Sequence, residues 1–217
     1  MIRRRTVVAG VGLALGLVGF GLGRMLPFGR RGRVAEAAGA GTAEDSIRKT
    51  VDDAFAVLRD KSLAGQDKRE ERIAALRRIA DQTFDWSEMA RGSLGPSWRS
   101  ADPAKRARFI AVFKDVLAAQ YMDDIDKFQG TEKVTVDSSA PEGDTTVVHT
   151  TLITASREHV AMDYRLREES GRWMIVDISV ENVSLVNHFR KTFSSAMANM
   201  TIDQLIDTLK KQLPSTN

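Results

Sequence analysis

The chain has 217 residues, no cysteine and a formal net charge of +3, a length that suits one ordinary domain with extra segments. The absence of cysteine excludes disulfides, thiolate metal ligands, a cysteine nucleophile and lipidation of an N-terminal cysteine. Residues 1–40 contain seven arginines and one acidic residue, so the remaining 177 residues carry a net charge of −3. The sequence has no basic stripe interleaved with aromatic residues, so it does not predict nucleic-acid binding.

The first 40 residues have the pattern of an export leader. A basic start precedes an apolar run at residues 7–23, and Arg4-Arg5 resembles a twin-arginine signal. Residues 35–40 contain two small-x-small cleavage sites, but arginines precede them, and the run is near the lower length limit for spanning a bilayer. We predict a signal peptide or N-terminal membrane anchor at 1–40, and a periplasmic location for the domain at 41–217.

Helical patterns occupy the first half of that domain. Apolar stripes predict three helices, at residues 42–59, 67–82 and 84–94. Gly95-Pro96 ends the third of them. Asp102 and Pro103 then form a strong helix start, and the longest apolar stripe in the chain runs from there to about Phe128.

Four strands follow, and hairpin-length turns join them. The strands are predicted to begin near Val134, Thr145, Val160 and Arg172. Short connections between successive strands imply an antiparallel meander. In the fourth strand, the period of two predicts that Met174, Val176, Ile178 and Val180 share the more apolar face.

Two helices complete the chain. Leu185, Phe189 and Phe193 recur every four residues, and Thr201 with Gln204 forms a capping box for the last helix. This order predicts an α+β fold with helices packed on one face of a curved four-stranded antiparallel sheet. The pattern alone leaves open whether the sheet and the Phe-rich helix close on an ordinary core or enclose a container.

The sequence lacks the common catalytic motifs. There is no G-x-S-x-G elbow, phosphate-binding glycine loop, H-E-x-x-H or dinucleotide fingerprint. His149, His159 and His188 are not spaced as metal ligands, and Asp163 is predicted to face away from its inward neighbour Tyr164. We predict no catalytic residue, no metal site and no cofactor.

From Phe84 to Leu209 the chain resembles the MlaC family, also called the toluene-tolerance family of ABC-transporter auxiliary proteins. The matching landmarks are Phe84-Asp85, Leu94-Gly95, Trp98, Phe109, Phe113, Leu117, Tyr121, Val134, Val136, residues 163–166, Trp173, Asp177, residues 183–186 and Phe193. Two positions depart from the family pattern: Asn182 stands where glycine is common, and His188 where an aromatic residue is common. Asn tolerates the left-handed backbone that a glycine there would adopt.

The resemblance implies a soluble, non-catalytic periplasmic phospholipid carrier of cystatin- or NTF2-like architecture. Its partners would be an outer-membrane lipoprotein–porin complex and an inner-membrane ABC transporter with an MCE-type ring. Phospholipid is the implied cargo, and a hopanoid is a further possibility. The acyl chains would lie between sheet and helices, in a pocket whose predicted lining is Phe109, Val112, Phe113, Val116, Leu117, Tyr121, Val134, Val136, Val148, Leu152, Met162, Tyr164, Leu166, Val176, Ile178, Val180, Leu185, Phe189 and Phe193.

Two alternatives remain open at this point. An uncleaved leader would make the protein a membrane-tethered station that hands lipid to a transporter. A small-molecule enzyme on the same cone-shaped fold would need an Asp/His pair that faces into the cavity, which the predicted outward direction of Asp163 disfavours.

Overall fold

Residues 41–213 form seven α-helices and an antiparallel sheet in the computed structural model, which describes this part of the chain except the side chains of residues 121–124. The helices are α1 Ala43–Arg59, α2 Arg69–Thr83, α3 Trp86–Leu94, α4 Pro96–Ser100, α5 Pro103–Asp126, α6 Leu185–Met197 and α7 Ile202–Gln212. The strands are β1 Lys133–Glu142, β2 Thr145–Ile153, β3 His159–Glu169, β4 Arg172–Val180 and β5 Val183–Ser184. A short 3₁₀ turn, Lys61–Leu63, separates α1 from α2.

The predicted leader lies outside the described residues. Within residues 41–213, no helix combines the length and the hydropathy that a bilayer crossing requires.

Capping side chains mark the helix starts. The Thr42 hydroxyl accepts a hydrogen bond from the Asp45 N–H, and the Asp45 carboxylate accepts one from the Thr42 N–H, both at 3.1 Å. The predicted box of Thr201 and Gln204 is confirmed at α7, with reciprocal bonds of 2.8 and 3.3 Å. Asp102 caps α5 by accepting a backbone N–H of its first turn at 2.8 Å. Each cap satisfies donors that a helix start otherwise leaves unpaired.

The prediction that Gly95-Pro96 ends α3 is confirmed, and Gly95 has a φ of +58°. Pro96 then begins a further short helix, α4, which the sequence did not predict. Proline suits the first helical position because its missing N–H has no partner there in any case. The long helix α5 ends at Asp126, within two residues of the predicted end at about Phe128.

The sheet confirms the predicted antiparallel meander, with strand order β1-β2-β3-β4-β5. It has five strands and not four, because Val183–Ser184 turn back to pair with the end of β4. A two-residue strand is too short to produce a period of two in the sequence. Asn182 in the connecting turn has φ of +65°, the left-handed conformation that Asn tolerates.

A β-bulge in β4 changes which of its residues face the helices. Tyr164 of β3 pairs with Ile178, whereas Leu166, two residues later on β3, pairs with Ile175. Between these two pairs β4 has one residue more than β3, and Val176 has no partner across the strands. Since residues directly opposite each other share a face, Ile175 and Ile178 lie on the same side although they are three residues apart.

The predicted apolar face of β4 is therefore wrong in its first half. The alternation puts Ile175 on the more polar face, yet it is 1% exposed and packs beneath the sheet with Tyr164. Met174 pairs with Arg167, on the opposite face from Leu166. The alternation inverts because the bulge adds one residue to one strand only.

A closed aromatic core lies between α3, α5, α6 and α7, and we call it the helical core. Phe113 packs edge-on against Phe189 at 5.2 Å and stacks on Phe109 at 5.7 Å, and Phe193 meets Phe109 edge-on at 5.6 Å. All four rings are buried. Such aromatic pairs stabilise a core by more than their buried area alone.

The packing of α3 on α6 makes this core tight. A Cβ added to Gly92 would lie 2.6 Å from Cγ1 of Val186, and Arg190 Nε donates to the Gly92 carbonyl at 2.7 Å. Because only glycine has no Cβ, the two helices approach more closely here than any other residue would allow.

A second, smaller cluster lies beneath the sheet, and we call it the sheet core. Ile47 of α1 is fully buried against Val148, Tyr164, Leu166 and Ile175. Burial raises the pKa of the Tyr164 phenol to about 12, because a buried site disfavours the phenolate.

Asp177 joins the sheet to the helical core. Its carboxylate accepts hydrogen bonds from the Ser184 hydroxyl at 2.5 Å, the Val186 N–H at 3.0 Å and its neighbour's N–H at 2.9 Å. Ser184 in turn caps α6 through the Asn187 N–H at 3.1 Å. The chain changes from strand to helix at Leu185, as predicted, beside the Asp177 carboxylate, which these charge-assisted hydrogen bonds hold in place.

Candidate functional site

A cavity of about 900 Å³ lies between the inner face of the sheet and helices α2 and α5. This volume is near the upper end of roughly 300–1,000 Å³, the usual range of small-molecule sites. The predicted α+β fold is confirmed. The sequence leaves open whether its interior is a filled core or a container, and this part of the molecule is hollow.

The wall of the cavity is built mainly from apolar side chains on three elements. Helix α2 contributes Ile73, Leu76 and Ala80, which fall on one face because they are three and four residues apart. Helix α5 contributes Ala111, Leu117, Ala118 and Ile125. The sheet contributes Leu152, Met162, Ile178 and Val180.

Six of the residues predicted to line a pocket do line this cavity. They are Leu117, Leu152, Met162, Ile178, Val180 and Leu185. The strand residues among them lie on one face of the sheet, because Leu152 pairs with Val160 and Met162 with Val180, and residues two apart along a strand share a face. Whether lipid contacts them stays a prediction.

The other predicted residues lie elsewhere. In or against the helical core are Phe109, Val112, Phe113, Val116, Phe189 and Phe193. In or against the sheet core are Val136, Val148, Tyr164 and Leu166. Val134 is half-buried on β1, opposite Leu152, Val176 is buried at the bulge, and the side chain of Tyr121 is outside the described part.

Sequence reasoning missed the whole contribution of α2. The spacing of Ile73 and Leu76 indicates only the apolar stripe of an ordinary helix, and the sequence carries no signal for the layer that such a stripe faces. Phe55, Phe84, Trp86 and Met89 were also missed, although the resemblance had marked Phe84 as a landmark.

One opening of the cavity lies between α2 and α5, where four charged side chains line it: Arg77, Asp81, Lys114 and Asp115. Arg77 pairs with Asp115 at 2.7 Å, and Lys114 pairs with Asp81. These side chains are 33–48% exposed. Because they both line the cavity and reach solvent, the cavity opens to the surface here. We call this set the rim quartet.

A second opening lies where α5 leads into β1 and β2 leads into β3. The exposed residues Lys127, Gln129 and Ser156 line it. Beside it, the Arg59 guanidinium lies 4.7 Å from the centroid of the Phe55 ring and donates to the Glu132 carbonyl at 2.8 Å. These contacts link the end of α1 to the residue before β1, beside the cavity.

The lining of the cavity is mainly apolar, and its charged side chains lie at the openings. Among the described residues no group of three or more His, Asp or Glu side chains is placed to hold a metal ion. The structure does contain an Asp/His pair, His149 Nδ1 and Asp163 Oδ1 at 2.8 Å. As predicted, Asp163 lies on the sheet face opposite Tyr164, so this pair does not line the cavity.

Two comparisons with known proteins agree with this geometry. The family model described as "MlaC protein" matches residues 48–211. A solved structure, a phospholipid-binding protein from Ralstonia solanacearum in complex with a phospholipid, has a similar fold, with a TM-score of 0.69. The two sequences are 21% identical, and the match covers 79% of this chain and 96% of that chain.

Proposed function

Because this chain belongs to the MlaC family, we propose that it binds phospholipid in the cavity and carries it between membranes without catalysing a reaction. The observation that carries the proposal is the apolar cavity of about 900 Å³ between sheet, α2 and α5. The Ralstonia protein, which shares the fold, was solved with a phospholipid bound.

The energetics of lipid transfer favour a cavity of this kind. Two acyl chains hold on the order of 30 methylenes, at about 0.8 kcal/mol each, so about 24 kcal/mol opposes their exposure to water. An enclosed apolar wall offsets most of this cost. The lining should not bind lipid much more tightly than a bilayer does, since a carrier must also release its cargo.

The proposed route runs through the periplasm, between an outer-membrane lipoprotein–porin complex and an inner-membrane ABC transporter with an MCE-type ring. The leader at residues 1–40 supports export. The arginines on both sides of its apolar run also support the second candidate, a protein tethered to the inner membrane that passes lipid to the transporter. A hopanoid is the alternative cargo.

The test is native mass spectrometry of the full chain, expressed with its own leader in a Gram-negative host. We expect the folded protein to carry the additional mass of a phospholipid, which denaturation removes. The chain mass shows in the same spectrum whether the leader has been cleaved.

A pair of alanine variants on α5 supplies the control. Ala118 lines the cavity, so Ala118→Trp should fill part of it and reduce bound lipid severalfold. Ala104→Trp adds the same side chain at an exposed position in the first turn of the same helix and should leave lipid content unchanged. A folded wild-type protein that takes up no lipid from vesicles, or equal lipid in the two variants, would contradict the proposal.

A further inference from the structure

The rim quartet has an alternating arrangement of charge. Helix α2 presents Arg77 and Asp81, four residues apart and so on one face, and α5 presents the adjacent pair Lys114 and Asp115. Each cation on one helix pairs with an anion on the other. The quartet therefore has a net charge of zero, with two positive and two negative groups around one opening.

Trp86 links this polar rim to the apolar wall. Its indole N–H donates to Asp81 at 3.0 Å, the Lys114 ammonium lies 5.5 Å from its ring centroid, and its ring stacks on Phe84 at 5.0 Å. One end of this side chain is thus polar and the other apolar, which is the position that tryptophan takes at membrane–water interfaces. The boundary between the apolar wall and the charged rim therefore lies at Trp86.

We propose that the rim quartet receives a zwitterionic phospholipid headgroup, one that contains both a phosphate and an ammonium group. The phosphate would lie against Arg77 and Lys114, and the ammonium against Asp81 and Asp115. This inference rests on the proposed function, because the tails in the cavity deliver the headgroup to the rim.

The exposure of the quartet makes such an exchange of partners inexpensive. Ion pairs between partly exposed side chains contribute little to stability, so the four groups can separate at small cost. An anionic headgroup without an ammonium would place its phosphate against the same two cations but would leave Asp81 and Asp115 without a cationic partner. The unpaired carboxylates and the nearby phosphate would then disfavour each other.

The second opening is less suited to this headgroup. Of the described residues that line it, Lys127 and Glu132 carry charge. One carboxylate oxygen of Glu132 accepts the Gln129 N–H at 2.9 Å, and the other is shielded from solvent without a hydrogen-bond partner. A headgroup could not reach that oxygen without a change of conformation.

The experiment measures which headgroup the purified, delipidated protein extracts from vesicles of equimolar phosphatidylethanolamine and phosphatidylglycerol with identical acyl chains. Bound lipid is quantified by mass spectrometry. We expect the wild type to prefer phosphatidylethanolamine. The double substitution Asp81→Asn with Asp115→Asn leaves two cations at the rim and should raise the bound phosphatidylglycerol-to-phosphatidylethanolamine ratio by about three- to tenfold, as expected for charge contacts at partly exposed sites.

A control variant makes the same change in net charge away from the cavity. Asp53→Asn with Asp203→Asn removes two carboxylates that pair with Lys49 and with Arg108 and should leave the headgroup ratio at the wild-type value. The reverse rim variant, Arg77→Gln with Lys114→Gln, should lower the ratio, and it keeps the test valid if the first rim variant fails to fold.

Three results would overturn the headgroup site: a wild type that prefers phosphatidylglycerol, rim variants with the wild-type ratio, or equal shifts in rim and control variants. A folded wild type that extracts neither lipid would instead contradict the proposed function itself.

Discussion

The helical core and the cavity are two sides of the same helix, α5. Toward α6 and α7, α5 presents Phe109 and Phe113, both fully buried in the ring cluster. Toward α2 it presents Ala111 and Ala118 together with the charged pair Lys114 and Asp115, and all four line the cavity. Large rings fill one interface, whereas small and charged residues border the other, which is hollow.

The two regions also differ in how their helices are held. Within the helical core, Gly92 brings α3 against α6 at van der Waals distance. Across the cavity, side-chain ion pairs connect α2 to α5: the partly exposed rim quartet and, near the other end of α2, the largely buried pair of Arg72 with Asp126 at 3.2 Å. At its rim end, a helix joined to its neighbour by partly exposed ion pairs can move at lower cost than one joined by a packed core. The comparison thus predicts a rigid half and an adaptable half.

The largest expected effect is on stability, from a change in the helical core. Phe113→Ala should lower the free energy of unfolding by about 3–5 kcal/mol, because it removes a ring that contacts several others and leaves a cavity. Urea unfolding followed by circular dichroism measures the loss. Lipid bound per folded molecule should stay at the wild-type level, and a lipid loss without a stability loss would mean that Phe113 belongs to the binding site.

A matched pair of leucines sharpens the comparison. Leu94 is 2% exposed in the helical core, whereas Leu76 lines the cavity. Leu94→Ala should cost about 2–5 kcal/mol of unfolding free energy, as buried leucines do. Leu76→Ala should cost less in lipid-free protein, about 1 kcal/mol, because its side chain already borders empty space. Equal losses in the delipidated proteins would show that the cavity is not hollow in solution.

The smallest effect distinguishes the two capping boxes by pH. Hydrogen bonds with Thr42 hold the pKa of Asp45 at the start of α1 below its usual value. The stability that Asp45 contributes is therefore present above the ordinary aspartate pKa and is lost as the pH falls through its depressed folded value. The box at α7 uses Gln204, which does not titrate.

Amide hydrogen exchange at pH 5 and pH 3 measures this difference, after correction for intrinsic exchange rates. Protection in the first turn of α1 should decrease relative to that of α7 at the lower pH, and Asp45→Asn should remove the difference. If protection at the two helix starts changes by the same factor in the wild type, Asp45 does not act as inferred.

Much of the fold could be predicted because its signals are local. Thr201 with Gln204 marks a helix start through bonds that span three residues, and the alternation of Met162, Tyr164 and Leu166 follows from the pleat of a single strand. The bulge at Val176 could not be predicted, since Met174, Ile175 and Val176 are all apolar and hide the point at which the alternation inverts.

The site was harder to predict because it depends on which elements meet. Leu76 and Leu94 are equally apolar, and each lies on a helical stripe, yet one borders the cavity and the other the helical core. Phe109 and Phe189 were assigned to a pocket because large apolar residues suit one, but the same property allows them to fill a core completely. The walls that come from the sheet were partly predicted, whereas the wall formed by α2 required the structure.

The central claim is that acyl chains occupy the cavity and not the helical core, and two tryptophans report on these regions separately. Trp86 lines the cavity, and Trp98 is buried in the helical core. Two single-tryptophan proteins would be loaded with a phospholipid that has brominated acyl chains, and their fluorescence would be measured. Trp98→Phe/Trp173→Phe keeps only Trp86, and Trp86→Phe/Trp173→Phe keeps only Trp98. Quenching of Trp86 with Trp98 unaffected is the predicted result. Quenching of Trp98 alone, or of neither residue in lipid-loaded protein, would contradict the account.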